Sequence, residues 1–147
     1  MLKIEDMTPG EMKSLLMAKE FGHLGCARAG RPYIVPMHYV YDNKFIYFLT
    51  TEGMKTDYMK ANDEVCFQVE DIIDKEDWRS VIIIGRAERI TNEEEREHAM
   101  QKIIARNPTA TPAINVTAID AWTRKSTIAL YRIHTEIMDG RKTVGTM

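Results

Sequence analysis

The sequence predicts a mainly β domain: a six-stranded antiparallel Greek-key barrel with three to four peripheral helices. Three observations carry this. Short apolar runs with strand periodicity recur along the chain, separated by two- and three-residue turn signals. Among the strands, antiparallel hairpins come first. The helical segments are inserted between strands and do not alternate with them one for one, which disfavours a parallel sheet. With 147 residues, the chain suits one domain, taken here as 1–147.

The elements follow in order. Thr8-Pro9-Gly10-Glu11 is a helix start, with Thr8 as cap, Pro9 at the first helical position and Glu11 closing a capping box. Met12, Leu15, Leu16 and Lys19 follow at helical spacing, and the helix should stop before Gly22. Gly22–Arg28 reads as a short strand, and Ala29-Gly30-Arg31 as a turn. Pro32–Tyr41 carries Tyr33, Val35, Met37, Tyr39 and Tyr41 on one face at period two. Asp42-Asn43 is a two-residue hairpin signal, because both residue types tolerate positive φ. Lys44–Thr50 is apolar on both faces, as in a strand covered on both sides. Met54–Asn62 reads as a short helix, Glu64–Glu70 as a strand, and the acidic stretch Asp71–Asp77 as a loop. Trp78–Ile90 is a long strand in which Gly85 marks a bulge or a close backbone approach. Thr91-Asn92-Glu93-Glu94 forms a second capping box. Its helix runs to about Arg106, burying Ala99, Met100, Ile103 and Ile104. Thr109–Trp122 reads as loop plus a helical turn. Thr127–Met138 is the last strand, without clean alternation, and the polar tail from Asp139 should fray.

Composition limits the function classes. Hydrophobic residues make up 44% and charged residues 29%, a balance that allows a packed core. A chain of this length buries roughly two-thirds of its unfolded surface, so a cofactor or second subunit would add to stability. Net charge is −2 with scattered Lys and Arg, which gives nucleic acid no basic stripe. No apolar run reaches the ~20 residues of a membrane helix. A cytoplasmic protein is expected. Cys26 and Cys66 have neither C-x-x-C nor metal spacing and read as reduced core thiols. No metal site is expected, and no Ser/His/Asp or Cys/His set supports hydrolysis. The ten methionines read as core filler.

One constellation suits an anion. In Thr50-Thr51-Glu52-Gly53-Met54-Lys55 a strand ends in two hydroxyls, a glycine turns the chain, and a lysine heads a helix. Hydroxyls, free helix N–H groups, the helix dipole and an ammonium together suit a phosphate monoester. The P-loop spacing is absent. An ordinary strand-to-helix turn with a surface lysine has the same sequence.

Four blocks occur in order: Pro32-Tyr33-Ile34-Val35-Pro36-Met37-His38-Tyr39; Ile46-Tyr47-Phe48-Leu49-Thr50-Thr51; Gly53-Met54-Lys55 through Glu64-Val65-Cys66-Phe67; and Ser80-Val81-Ile82-Ile83-Ile84-Gly85-Arg86-Ala87. Over about Phe21 to Ile90 the chain resembles the FMN-binding split β-barrels of the pyridoxamine-5′-phosphate-oxidase-like superfamily, nearest the nitroimidazole-reductase-like branch. The resemblance implies FMN held at a homodimer interface. Val35, Pro36, Met37 and His38 would lie along the isoalloxazine. Thr50, Thr51 and Lys55 would hold the phosphate. Trp78, Arg79 and Ser80 would flank the ring or ribityl chain across the dimer. The chain also departs from the pattern. Met54 stands where the oxidase places an arginine, Ser80 where it places a glutamine, and Leu49 where the reductase-like proteins often carry histidine. The oxidase's C-terminal substrate-binding arginine region has no counterpart. Pyridoxamine-phosphate oxidase activity itself is therefore not expected.

The remaining polar and aromatic residues keep two readings each. His38 is either a flavin neighbour that orients substrate or donates a proton, or a polar residue on the outside of its strand. Trp78 and Trp122 either stack on a flavin or fill core and interface. His23 reads as structural and His98 as solvated. His134 and His38 are the candidate axial ligands of a haem-binding relative. Three functions follow: an FMN-dependent oxidoreductase acting on a small molecule and reduced by NAD(P)H; a flavin-binding module without turnover; and a haem-binding barrel.

Overall fold

The computed structural model describes residues 2–106 and 128–145. Among these residues it is a mainly antiparallel β fold with three helices. The elements are β1 (Leu2–Asp6), α1 (Pro9–Ala18), β2 (Phe21–Arg28), β3 (Arg31–His38), β4 (Val40–Tyr41), β5 (Phe45–Thr51), α2 (Met54–Ala61), β6 (Glu64–Asp74), β7 (Asp77–Arg89), α3 (Glu93–Arg106) and β8 (Ile128–Gly145). The hydrogen-bonded order is β3-β2-β6-β7-β8-β5-β4, with β1 added to β8.

β3 and β4 stand at opposite ends of that order yet are one continuous stretch joined at Tyr39. The predicted Pro32–Tyr41 strand is therefore a single strand that bends at Tyr39 and changes neighbours, which closes the sheet on itself. Tyr39 is held at the bend: its N–H donates to Glu20 O at 3.1 Å and its hydroxyl to Leu16 O at 2.6 Å. Burial pushes that phenol's pKa far above its ordinary value.

The barrel interior takes the inward residues of every wall strand, among them Leu24, Ile46, Phe48, Phe67, Val69, Val81, Ile83, Tyr131 and Ile133. α1 joins them through Met12, Leu15 and Leu16. Burying each such side chain is worth about 1.5–3 kcal/mol. A second cluster lies outside the wall, where α3 sets Ala99 and Ile103 against Val40, Tyr47, Ile90 and Leu130. β5 is thus covered on both faces, as its doubly apolar sequence requires. The Ala29-Gly30 turn has φ of 50° and 79°, and Asn43 has φ of 75°. Asp42 Oδ1 accepts from the N–H groups of Lys44 and Phe45, which fixes the second hairpin.

Several sequence expectations need correction. β1 was not foreseen, and all five of its residues are exposed. Asp71–Asp77 is no loop: β6 runs to Asp74 and β7 starts at Asp77, because the Ile72–Trp78 and Asp71–Arg79 pairs extend the ladder. The tail does not fray from Asp139, since β8 continues to Gly145 between β7 and β1. Its imperfect alternation comes from a register shift opposite Ile84 and Gly85. The cap of α3 is Asn92, whose Oδ1 accepts from Glu95 N at 3.0 Å. Ile104 and Cys66 are exposed rather than buried, while Cys26 is in the core. The expected loop and helical turn at Thr109–Trp122 lie outside the described residues.

Candidate functional site

β5 ends in Thr50 and Thr51, Glu52 and Gly53 turn the chain, and α2 begins at Met54. Thr56, fully buried, locks the helix start. It accepts from Gly53 N–H at 2.8 Å through Oγ1, and its hydroxyl donates to Gly53 O at 2.9 Å. The N–H groups of the first helical turn have no carbonyl partner one turn earlier, so they face the approach to the loop. Thr50 is buried with its hydroxyl 3.4 Å from Thr51 O, and Thr51 is exposed. Lys55, at the second helical position, is half-buried. Burial pushes the Cys26 thiol pKa up and the Lys55 ammonium opposes that rise, so its field reaches the β2 wall. Glu52, the carboxylate within the loop, is paired with Arg89.

A split in the barrel opens beside this loop. β4 and β5 pair only at Val40–Tyr47 and Tyr41–Ile46. Beyond Tyr39 the same strand, as β3, turns to pair with β2. Residues 35–38 and 49–51 therefore border the split from its two sides. Antiparallel strands turn the backbone groups of alternate residues to alternate edges. Tyr39 N–H points to the β2 side and Val40 pairs with β5. The backbone groups of Ile34, Pro36 and His38 therefore face the split. Pro36 offers only a carbonyl, which suits proline at a free edge. Val35 packs partly buried against the core and Met37 is buried within it, while Pro36 and His38 are exposed. The His38 ring lies outside, 3.9 Å from that of Phe21.

Within one chain, Trp78, Arg79 and Ser80 are not at the split. They sit on β7, two strands beyond β2. Arg79 is ion-paired to Asp71 at 2.8 Å. Trp78 N–H donates to Thr143 Oγ1 at 3.0 Å. Ser80 accepts from Gln68 Nε2 at 3.0 Å, and Gln68 Oε1 lies 3.2 Å from His23 Nδ1. This chain runs from β7 back to His23, the register partner of Pro36. Trp122 lies outside the described residues. His134 is engaged by Glu88 at 3.2 Å and packs edge-on against Phe45. His98 is exposed on α3.

Beside the split, the outer wall is apolar. Ile34, Gly25, Cys66, Ile84 and Ile137 form one register row across five strands, with Ile82 beside it. Ile34, Ile84 and Ile137 are 69%, 42% and 56% exposed. A depression of about 640 Å³ lies over Gly25, lined by Pro32, Ile34, Val65, Cys66 and Ile84 among others.

The profile of the pyridoxamine 5′-phosphate oxidase family matches residues 8–142, nearly the whole chain. The chain belongs to this family. Among solved structures, the family member resembles an FAD-binding protein from Mesorhizobium loti, with a TM-score of 0.76 and 26% identity, over 99% of this chain and 100% of that one. An FAD-binding protein from Mycobacterium smegmatis shares the fold at a TM-score of 0.67 and 21% identity, covering 94% and 98%. The flavocytochrome Anf3 from Azotobacter vinelandii does so at 0.70 and 16%, covering 97% and 70%. In sequence, the chain is 30% identical over 84 residues to the uncharacterized protein RA0666 of Rhizobium meliloti (strain 1021). That match spans 57% of this chain and 56% of the relative's length.

Sequence reasoning missed two features of this family member. The Glu52–Arg89 pair had a signal: Arg89 continues the inward series Val81, Ile83, Gly85 and Ala87, where a cation needs a partner. The His23–Gln68–Ser80 chain had none, since it depends on the register between three strands.

Proposed function

We propose that this protein is an FMN-dependent oxidoreductase of a small-molecule substrate, reduced by NAD(P)H and working as a homodimer. The observation that carries the reading is the split itself: a free β3 edge faces the Thr50–Lys55 turn, with the half-buried Lys55 and the open N–H groups of α2 at its end. A planar ring with polar edges fits beside the free backbone edge, with the Pro36 carbonyl and the His38 backbone groups as its partners. Thr50, Thr51 and Lys55 would hold the phosphate. The flavin, when bound, would supply the electron chemistry, and the protein would supply orientation and exclusion of water. His38 would stand at the outer end of the same edge. Trp78, Arg79 and Ser80 would reach the ring only from a second chain, and Trp122 would be a further aromatic to stack on it.

The FAD-binding relatives support a flavin nucleotide, and the single phosphate-holding turn favours FMN. Absorbance of the purified protein, FMN titration by fluorescence quenching, and chromatography of the released flavin test this. Lys55→Ala should weaken FMN about tenfold or more, as loss of a charge-assisted contact does. A colourless protein without quenching would overturn the reading, and released FAD would correct the nucleotide. Bound flavin that NADH and NADPH both leave oxidised would make the protein a binding module.

A further inference from the structure

The turn that follows β5 has a charge problem. It carries one cation, Lys55, and one anion, Glu52, and the position before the lysine is the neutral Met54. Alone, the side chains of the turn would offer a phosphate no net charge, leaving only hydroxyls and helix N–H groups to attract it. Arg89 changes the sum. It is the last residue of β7, on the inward face of the barrel, and its guanidinium pairs with the Glu52 carboxylate. The two side chains are 32% and 28% exposed, so solvent screens them only partly. Tyr131, stacked on Phe48 at 5.5 Å, lies in the field of Arg89, Glu52 and Asp57 of the first turn of α2. The pair also ties the turn to a strand 37 positions later in the chain (89 minus 52).

We propose that the Glu52–Arg89 pair sets the charge of the flavin-phosphate site. Arg89 is a positioning residue that acts through Glu52. It cancels the carboxylate of the turn, leaving Lys55 and the α2 N–H groups to attract the phosphate against the remaining acid of the first helical turn, Asp57, and so stands in for the cation that Met54 does not supply. This rests on the flavin reading above. The ligand class is a flavin 5′-phosphate, and riboflavin, which lacks the phosphate, is indifferent to the pair.

The experiment compares dissociation constants for FMN and riboflavin, by fluorescence quenching, in the wild type, Arg89→Gln, Arg89→Lys, Glu52→Gln, the Glu52→Gln/Arg89→Gln double variant and Lys55→Ala. Melting temperatures without ligand are recorded alongside. Arg89→Gln should weaken FMN about tenfold, the order expected for one unbalanced charge in a partly screened site, with riboflavin unchanged. Arg89→Lys should keep most of the FMN preference. Glu52→Gln should tighten FMN by a similar factor, and the double variant should return near the wild-type ratio. A purely structural pair would move both ligands and the melting temperature together. If Arg89→Gln does not fold, Glu52→Gln and the double variant decide. A constant FMN-to-riboflavin ratio across the Glu52 and Arg89 variants, with Lys55→Ala still lowering it, would overturn this inference alone. A wild type that does not prefer FMN, with Lys55→Ala without effect, would overturn the phosphate site itself.

Discussion

Gly85 shows how a single residue fixes the barrel. It sits where the β7–β8 register shifts, and a Cβ built on it would lie 1.7 Å from the His134 carbonyl oxygen. No rotamer relieves that contact, because the obstacle is backbone. Gly85→Ala must therefore push β8 away from β7 or break the ladder, at a cost of about 3 kcal/mol, the upper range for overpacking. Urea unfolding monitored by tryptophan fluorescence measures it, and a loss below ~0.5 kcal/mol would show that the strands part freely. This role was visible in the sequence, as a lone glycine inside a β-branched run. Cys66 was not: like Cys26 it lies in an apolar stretch, but the parity of β6 turns it outward, opposite Gly25.

Among elements, α1 was the most legible, since the signals that start it are local. Thr8 Oγ1 accepts from Glu11 N at 3.2 Å and Glu11 Oε1 accepts from Thr8 N at 2.9 Å, the reciprocal pair the sequence announced. Lys142, 131 positions away, could not be foreseen; its ammonium lies 2.6 Å from Glu11 Oε2. That ammonium and the Thr8 N–H hold the Glu11 carboxyl at about 2, against an ordinary 4.5. A carboxyl whose folded pKa is depressed contributes stability above its unfolded pKa and loses it as pH falls through the folded one. The contribution should be complete above pH 4.5 and vanish progressively towards pH 2. Melting temperatures of wild type and Glu11→Gln should differ at pH 6 and converge near pH 2; a gap constant over that range would refute the assignment. β1 and the ends of β6 and β8 were illegible for the opposite reason. Their residues are polar or exposed, and they become strands only because a neighbouring strand offers hydrogen bonds.

For the whole molecule, the succession of short strands, antiparallel hairpins and inserted helices was enough to suggest a barrel, and the Thr50–Lys55 turn enough to suggest an anion site; the bend at Tyr39 that closes the sheet was not legible in the period-two run. The outer wall also lay beyond the sequence. Ile34, Cys66, Ile82, Ile84 and Ile137 come from strands far apart in the chain, and only the register lines them up. A monomer would leave this row in water, and a contiguous exposed apolar surface of this kind marks an interaction site. A two-fold partner presents the same row to itself, so each isoleucine finds another apolar surface without further design. The wall adjoins the split across β2 and β3, so a chain docked there would also shield a ring seated at the free β3 edge. Light scattering should therefore give about twice 17.0 kDa at micromolar concentration. Ile84→Asp places a carboxylate within the row, between Cys66 and Ile137, where burial without a partner costs several kcal/mol. It should yield a folded monomer with weakened flavin binding. Leu2 and Ile4 of β1, exposed away from this row, make the control: Ile4→Asp should leave the mass unchanged. If Ile84→Asp stays dimeric while Ile4→Asp dissociates, the β1 edge is the contact, and the flavin reading loses its second chain at the split.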